Sequence, residues 1–201
     1  MSAAPRPPFV LVGGGARSGK SRFALTRALE LGARGVSGQG IDCRGVFVAT
    51  AEASDDEMRD RIARHREERD ARLRTVEAPL ELPTALARIF EGEPAADVVL
   101  VDCLTLWLSN LLVQGASADE ALGRVEELRA VLARRRAPVV LVTNEVGMGL
   151  VPDTPLGRVF RDVAGLAHQR LARDADEIHA GVLGLMLRLR PAPVTASDPG
   201  P

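Results

Sequence analysis

The chain has 201 residues, of which 46% are hydrophobic and 26% are charged, and its formal net charge is −1. These values are typical of a single globular domain whose core needs no disulfide bonds. The near-neutral charge argues against a nucleic-acid partner, because binding to a phosphate backbone usually shows as net basicity. The two cysteines, Cys43 and Cys103, form neither a disulfide framework nor a zinc-binding pattern.

The ends of the chain differ in composition from its middle. Residues 1–8 are rich in alanine and proline and lack the apolar core of a signal peptide. Residues 191–201 contain four prolines. We therefore expect a flexible N-terminal extension over residues 1–8, a single domain over residues 9–190 and a disordered tail over residues 191–201. The sequence contains no run of about 18 apolar residues, so we expect no membrane span. The expected location is the cytoplasm.

Short apolar runs alternate along the chain with segments whose apolar residues are three or four apart. The runs predict strands at residues 9–12, 46–50, 98–102 and 138–143, and one or two more within residues 178–189. The helical spacing predicts helices at residues 18–31, 55–70, 80–90, 104–113, 117–135 and 156–173.

The alternation of these elements predicts the fold class. Because the strands are apolar throughout, the pattern favours an α/β protein with a mostly parallel sheet and helices on both faces. A capping box at Ser54 marks the start of the helix at residues 55–70. Five glycines identify residues 32–45 as a loop, to which we assign no role.

The strongest motif lies between the first predicted strand and the first predicted helix. The sequence matches GxxxxGK[ST] at every fixed position, over Gly14, Gly15, Ala16, Arg17, Ser18, Gly19, Lys20 and Ser21. In such a P-loop, backbone N–H groups and a helix N-terminus point at the β-phosphate of a nucleotide. Lys20 is expected to reach the β- and γ-phosphates, and Ser21 to bind Mg²⁺ through its hydroxyl group. The match predicts a fold of the P-loop NTPase type.

A strand that ends in an acid supplies the second half of the predicted site. Residues 98–101 are apolar, and Asp102 follows them. At the carboxyl end of a strand, Asp102 is expected beside Ser21, where it would hold Mg²⁺ through water. Taken alone, the pattern also fits an ordinary strand end.

Missing motifs narrow the class of P-loop protein. The chain has no Asn-Lys-x-Asp sequence, with which signalling GTPases read guanine. Cys103 follows Asp102, where a motor ATPase has a catalytic acid. A small-molecule kinase or a nucleotidyltransferase remains.

The predicted helix at residues 55–70 carries a histidine among arginines. Arg61, His65 and Arg69 are four residues apart and share one helix face. Neighbouring cations disfavour the imidazolium form, and a neutral histidine flanked by arginines fits a nucleophile that attacks a phosphoryl centre. A solvated surface helix with Arg/Glu pairs gives the same pattern, so the residues alone leave both interpretations open.

Four segments together resemble a known family. They are GGGARSGKSR at residues 13–22, a block with DDEM and His65 at residues 48–77, VLVDCLTLWLSNLL at residues 99–112 and VVLVTNEVGMGLVP at residues 139–152. In order and spacing the chain is similar to the bifunctional adenosylcobinamide kinases/adenosylcobinamide-phosphate guanylyltransferases of cobalamin assembly, over residues 9–189.

The resemblance implies a two-step enzyme. A nucleoside triphosphate, ATP or GTP, phosphorylates the aminopropanol hydroxyl of adenosylcobinamide. GTP then guanylylates a histidine and releases pyrophosphate, and the GMP passes to the cobinamide phosphate to give adenosylcobinamide-GDP. The nucleophile of the family falls on His65, whereas His168 and His179 are expected to be structural. The resemblance also implies a homo-oligomer such as a trimer.

The same resemblance assigns site residues. Catalytic roles fall on His65 and Lys20, and Mg²⁺ binding falls on Ser21 and Asp102. Besides residues 14–21, the residues implied to contact the nucleotide are Ala49, Thr50, Ala51, Arg66, Glu67, Glu68, Arg69, Glu77 and Asp102. Glu77 suits a guanine reader, because a carboxylate can accept hydrogen bonds from the guanine N1–H and 2-amino groups. An exposed loop acid is the alternative.

Other interpretations remain open from the sequence. A one-step P-loop kinase for another small alcohol would need Lys20, Ser21 and Asp102 but not His65. A non-catalytic GTP-binding regulator would bind nucleotide without turnover. Residues 144–149 either line the corrinoid side of the site or form a tight turn that caps a helix. Trp107 is either a core residue or a subunit contact.

Overall fold

The computed structural model describes residues 6–35, 44–52, 72–92 and 94–197. Its strands are β1 (Phe9–Gly14), β2 (Gly45–Ala49), β3 (Leu73–Glu77), β4 (Val98–Asp102), β5 (Val139–Val142), β6 (Glu177–Val182), β7 (Leu185–Arg190) and β8 (Thr195–Ser197). They form one sheet in the order β3-β2-β4-β5-β1-β6-β7-β8.

Strands β1 to β6 run parallel to one another. Strand β7 is antiparallel to β6, and β8 is antiparallel to β7. The carboxyl ends of the six parallel strands therefore meet at one edge of the sheet. In open α/β sheets this edge is where ligands bind. The mostly parallel sheet predicted from the apolar runs is confirmed.

Five helices are described: α1 (Lys20–Gly35), α2 (Leu82–Glu91), α3 (Leu104–Val113), α4 (Ala118–Ala133) and α5 (Pro155–Asp174). Their starts follow from local sequence. The Ser117 side chain accepts a hydrogen bond from Glu120 N in a capping box that begins α4. The Thr154 side chain accepts from Gly157 N, and Pro155 occupies the first turn of α5, where its missing N–H costs nothing.

The core lies on both faces of the sheet, because successive side chains of a strand point to opposite faces. Val10 and Val12 of β1 pack in a cluster with Ala24 and Ala28 of α1. Phe9 and Leu11 of β1 pack instead in a cluster formed with α2 to α5, whose larger fully buried members include Trp107, Leu82, Leu108, Leu128 and Leu171. The predicted covering of both faces by helices is confirmed.

Trp107 belongs to this second cluster. Its side chain is fully buried, and its Nε1–H donates to Leu80 O at 2.7 Å. Of the two sequence interpretations, a core residue and a subunit contact, the structure supports the core residue. The hydrogen bond also joins α3 to the segment that precedes α2.

Two strands were not expected from the sequence. Strand β3 has two apolar residues in five, Leu73 and Val76, because it lies at an edge of the sheet and leaves Arg74 and Thr75 exposed. Strand β8 lies within the stretch expected to form a disordered tail, and pairs with β7 from Thr195 to Ser197. Three residues are too few to show a hydrophobic period.

Some predicted elements lie outside the described residues. They are most of the glycine-rich loop at residues 32–45 and the helix at residues 55–70. None of the helices in the described part of the chain combines the length and hydrophobicity that crossing a bilayer requires.

Candidate active site

The predicted site residues gather at the carboxyl edge of the sheet. The register places Glu77, Ala49, Asp102 and Val142 in one row across β3, β2, β4 and β5. Val142 is in turn opposite Val12 of β1, two residues before the P-loop begins. The topology therefore brings the ends of four separate strands to one edge of the sheet, next to the P-loop strand.

The P-loop takes a backbone path that glycine makes possible. Gly19 has φ 83°, and Arg17, without glycine's freedom, has φ 55°. Gly14 has φ 154° and faces Gly181 of β6 so closely that a Cβ on Gly14 would lie 3.1 Å from Gly181 O and 2.7 Å from Ser18 Oγ. The Ser18 hydroxyl is buried and has no hydrogen-bond partner within the described residues. A polar atom left this way inside a phosphate-binding loop is consistent with a ligand contact.

Lys20 is the first residue of α1 and is only 8% exposed. Its Nζ donates to Gly15 O at 3.0 Å, so the ammonium group folds back over the loop that it would share with a triphosphate. Lys20 is also the one lysine in the sequence. A buried ammonium group over a phosphate-binding loop is suited to binding an anion.

The end of β4 is tied to the end of β2. The Thr50 hydroxyl donates to Cys103 O at 2.7 Å and accepts from Cys103 N at 2.8 Å. Asn110 Nδ2 donates to Thr50 O at 2.8 Å. The polar groups of Thr50 are thus used to hold the strand ends together.

Cys103 does not act as a nucleophile in this arrangement. Burial, together with the neighbouring Asp102 carboxylate, raises the pKa of the Cys103 thiol to about 11. The charge of Lys20 acts in the opposite direction, which places the P-loop lysine near the end of β4. A neutral thiol is a poor nucleophile.

Glu77 ends β3 and is exposed. A cavity of about 1050 Å³ runs from Glu77 along β3 and α2, and its lining includes Ala78, Pro79, Leu80, Arg74 and Arg88. Glu77 is two strands away from Asp102, which corresponds to about 10 Å at the usual strand spacing. The cavity therefore begins at the side of the site that is remote from the P-loop.

The segment after β5 leaves the sheet between the P-loop strand and the Asp102 strand. Glu145 N donates to Gly14 O at 3.0 Å, which joins this segment to the first residue of the P-loop. The Thr143 hydroxyl lies 2.7 Å from His168 Nε2, and His168 Nδ1 lies 3.8 Å from Glu145 Oε2. Burial lowers the pKa of His168, against the opposing effect of the Glu145 carboxylate.

His179 occupies a different place. It lies on β6, and its Nε2 is 3.3 Å from Glu177 Oε2. The Arg27 guanidinium of α1 also donates to the Glu177 carboxylate, with Nε at 3.2 Å from Oε2. Glu177 is the first residue of β6, and the ring of His179 also packs against Phe23 of α1, with 4.7 Å between ring centroids. The structural role expected for His179 stays a prediction.

Comparison with known proteins decides the family. Residues 10–189 match the family model described as cobinamide kinase / cobinamide phosphate guanyltransferase. The bifunctional adenosylcobalamin biosynthesis protein CobP of Pseudomonas aeruginosa is 41% identical over 184 residues, which cover 92% of this chain and 98% of that protein. The chain belongs to the cobinamide kinase / cobinamide phosphate guanyltransferase family. The resemblance seen in the sequence is confirmed.

Two further members of the family show the same extent of similarity. The bifunctional adenosylcobalamin biosynthesis proteins CobU of Salmonella typhimurium and Escherichia coli are 38% and 39% identical. In each case the match covers 90% of this chain and 99% of the relative. The cobinamide kinase / guanyltransferase family thus accounts for nearly the whole chain.

The fold of this family member is also found outside the family. The ATPase domain of G40P superposes with a TM-score of 0.50 at 13% sequence identity, covering 96% of this chain and 81% of that domain. This likeness concerns the fold, and confirms the P-loop NTPase type predicted from the GxxxxGK[ST] motif.

Sequence reasoning and structure differ in what they bring to the site. The P-loop, Ala49, Thr50, Ala51, Glu77 and Asp102 are described and lie at the carboxyl edge. His65 and the predicted contacts Arg66, Glu67, Glu68 and Arg69 lie outside the described residues. Sequence reasoning placed Glu145 within residues 144–149, as a corrinoid-lining segment or a tight turn, without a role of its own, and expected His168 to be structural. The TNEVGMG segment was a signal, but only the sheet order shows that it leaves the sheet beside the P-loop.

Proposed function

We propose that this protein phosphorylates adenosylcobinamide and then transfers GMP to the product, with His65 as the carrier of GMP. The observation that carries the proposal is the P-loop, whose buried Lys20 lies at the carboxyl edge near the end of β4. Membership of the cobinamide kinase / cobinamide phosphate guanyltransferase family supports both activities. One P-loop would serve both steps, since each begins with a bound triphosphate.

The first step places a triphosphate in the P-loop. Backbone N–H groups of residues 14–21 and the ammonium group of Lys20 would hold its β- and γ-phosphates. The Ser18 hydroxyl, buried between Gly14 and Gly181 without a partner in the described chain, is available to the same oxygens. The hydroxyl group of the corrinoid side arm attacks the γ-phosphorus, and the nucleoside diphosphate leaves. ATP and GTP both fit this description.

The oxygen atoms of Ser21 and Asp102 suit Mg²⁺. This ion takes oxygen ligands, keeps several waters and binds the phosphates themselves, so that two protein groups suffice. Ser21 lies half-buried in the first turn of α1, and Asp102 at the carboxyl end of β4. When bound, Mg²⁺ would neutralise charge on the triphosphate.

The second step uses His65. Its imidazole nitrogen attacks the α-phosphorus of GTP, a P–N bond forms, and the bond to the β-phosphate oxygen breaks to release pyrophosphate. The phosphate group of the corrinoid then attacks the same phosphorus and frees His65. The guanidinium groups of Arg66 and Arg69 would hold the phosphate oxygens, and Glu77 would read the guanine at the mouth of the cavity along β3. The segment Ala49-Thr50-Ala51 would form the wall beneath the nucleotide.

The corrinoid acceptor is expected on the segment after β5. Met148 is 89% exposed and Leu150 is 95% exposed, and Val151 and Leu156 are exposed nearby. Contiguous exposed apolar side chains are characteristic of a binding surface. This segment begins at Glu145, which is bonded to the P-loop, so a large, partly apolar ring resting on it could extend its hydroxyl-bearing arm to the γ-phosphate.

The carrier role of His65 is tested by covalent labelling. The purified protein is incubated with Mg²⁺ and GTP labelled at the α-phosphate, and the denatured chain is analysed by mass spectrometry. We expect an acid-labile, base-stable GMP adduct on His65 with release of pyrophosphate. The variant His65→Ala should form no adduct and should retain phosphorylation of adenosylcobinamide. An unlabelled wild-type chain that binds GTP would favour a one-step kinase, and the absence of γ-phosphate transfer as well would favour a regulator.

The resemblance also supports a homo-oligomer, such as a trimer, that works in the cytoplasm, where both nucleotides are available. Light scattering at micromolar protein concentration measures the mass directly. A mass equal to the 21.4 kDa of one chain would contradict the oligomer.

A further inference from the structure

The kinase step needs a group that takes the proton from the attacking hydroxyl, and the segment after β5 offers one. General bases in kinases orient the nucleophile and accept its proton near the γ-phosphate. In P-loop proteins the lysine of the loop reaches the β- and γ-phosphates, and the acid at a strand end holds the Mg²⁺ that bridges them, so the γ-phosphate is expected near β1 and β4. Strand β5 is the one between them.

The position of Glu145 follows from this strand order. Val142, the last residue of β5, is opposite Val12 on one side and Asp102 on the other. Three residues later, Glu145 N donates to Gly14 O at 3.0 Å. The backbone of Glu145 is therefore fixed to the residue with which the P-loop begins.

The Glu145 carboxylate is held by one oxygen and available at the other. Its Oε1 accepts from Gly147 N at 2.7 Å. Its Oε2 lies 3.8 Å from His168 Nδ1, and the side chain is 39% exposed. The absence of a side chain at Gly147 allows this close contact, because a Cβ on Gly147 would lie only 3.0 Å from Glu145 Oε1. One oxygen is thus fixed in the turn while the other faces the imidazole and the solvent.

His168 lies beside the free oxygen without a hydrogen bond to it, since 3.8 Å separates its Nδ1 from Glu145 Oε2. The other ring nitrogen, Nε2, lies 2.7 Å from the Thr143 hydroxyl, which holds the imidazole in place. The free oxygen therefore has a polar neighbour on α5 and remains open to an approaching hydroxyl group.

The other carboxylates of the described residues are less well placed. Asp102 lies at the predicted Mg²⁺ site, and Glu77 is on β3, at the far side of the sheet from β1. Glu177 is bound by Arg27 and His179. Strand β1 has two neighbours in the sheet, β5 and β6. Glu145 is the first acid after β5, whereas the turn after β6 contains no acid.

We propose that Glu145 is the general base of the kinase step. The assignment rests on the proposed function and names a residue for its first half. The acceptor oxygen forms a bond to the γ-phosphorus, and the bond between the γ-phosphorus and the bridging oxygen breaks. The electron pair leaves with the nucleoside diphosphate, and the hydroxyl proton passes to Glu145 Oε2 and later to water.

The test compares Glu145→Gln with Glu91→Gln. Each variant replaces a glutamate by the amide of the same shape, and Glu91 is exposed at the end of α2, outside the proposed site. Glutamine keeps an oxygen that accepts from Gly147 N but cannot take a proton. Kinase turnover is measured with adenosylcobinamide and γ-labelled ATP, and guanylyl transfer with adenosylcobinamide phosphate and α-labelled GTP.

We expect Glu145→Gln to lower kcat of the kinase step by at least about 100-fold. Both KM values should stay within about threefold, guanylyl transfer within about twofold, and Glu91→Gln should behave as the wild type. Kinase turnover of Glu145→Gln close to that of the wild type would overturn the assignment. Equal losses in both reactions would also overturn it, since they would indicate a structural role in the turn. Absence of kinase turnover in the wild type would instead refute the proposed function itself.

Discussion

The buried side chain of Lys20 supplies a positive charge to the P-loop. With 8% of the residue exposed and its Nζ bonded to Gly15 O, the ammonium group is already oriented over the loop before any phosphate binds. A preorganised cation of this kind stabilises negative charge without rearrangement during the reaction. Both proposed steps develop charge on phosphate oxygens that the loop holds, so both should depend on this residue.

The change Lys20→Ala is therefore expected to lower kcat/KM of kinase and guanylyl transfer alike, each by about 10²–10³-fold. Steady-state rates with labelled ATP and labelled GTP measure the two effects. Arg136→Ala is the control. It removes an exposed cation just before β5, at the amino ends of the parallel strands, whereas the P-loop lies at their carboxyl ends. Unchanged turnover in Lys20→Ala would contradict the nucleotide site.

At the scale of elements, the contact between β1 and β6 shapes the P-loop. Gly14 is opposite Gly181, and Ser18 packs over both. A Cβ on Gly181 would lie 2.8 Å from Ser18 Oγ, 3.0 Å from Ser18 Cβ and 3.2 Å from Met186 Sδ. Met186 is fully buried and has little room to move. The loop must therefore shift if β6 gains a side chain here.

Gly181→Ala should lower the free energy of unfolding by about 1–3 kcal/mol, the usual cost of overpacking, and should weaken GTP binding. Gly123→Ala makes the matched change on the exposed side of α4, where a Cβ meets nothing within 4 Å. That variant should gain about 0.5–1 kcal/mol, because alanine is the better helix former. Urea unfolding and titration with GTP measure both effects. A Gly181→Ala protein as stable as the wild type would show that the loop accommodates the methyl group.

Elements with a strong hydrophobic period were predictable, and the others were not. Strands β1, β4 and β5 are apolar at each buried position, and α3 was predicted with the same bounds that the structure gives. Strand β3 was missed because edge pairing needs backbone groups rather than apolar side chains, and Arg74 and Thr75 face outward. The same reason applies to β8.

The residues of the candidate site also divide into those that the sequence predicts and those that it does not. Lys20, Ser21 and Asp102 carry motifs whose spacing is set by phosphate and metal chemistry, so the sequence alone predicted them. Glu145 has no such spacing. Its place beside Gly14 depends on β5 being inserted between β4 and β1, an order that neither chain position nor composition reveals.

At the scale of the whole molecule, Glu177 links α1 to the sheet. The hydrogen bond with His179, together with that from Arg27, lowers the pKa of Glu177 to about 2, although burial opposes the shift. A carboxyl group whose pKa is lower in the folded than in the unfolded chain stabilises the fold above the unfolded value, here near 4.5. That stability is lost as the pH falls from about 4.5 toward 2.

The free energy of unfolding should therefore drop by about 2 kcal/mol over this range from Glu177 alone. Urea unfolding at a series of pH values measures the slope. Glu177→Gln should flatten it, whereas Glu91→Gln, which alters an exposed carboxyl group at the end of α2, should leave it steep. Parallel curves for Glu177→Gln and the wild type would contradict the linkage.

The single lysine has a consequence for chemical modification. Apart from three histidines, every other basic side chain is an arginine, so Lys20 Nζ is the only side-chain primary amine of the protein. Acylating reagents, including metabolic acyl donors, then have one side-chain target besides the α-amino group, and it lies inside the phosphate-binding loop. A bound triphosphate would shield that amine, so the extent of acylation at Lys20 reads out nucleotide occupancy, and one acyl group on Lys20 would block both proposed reactions at once.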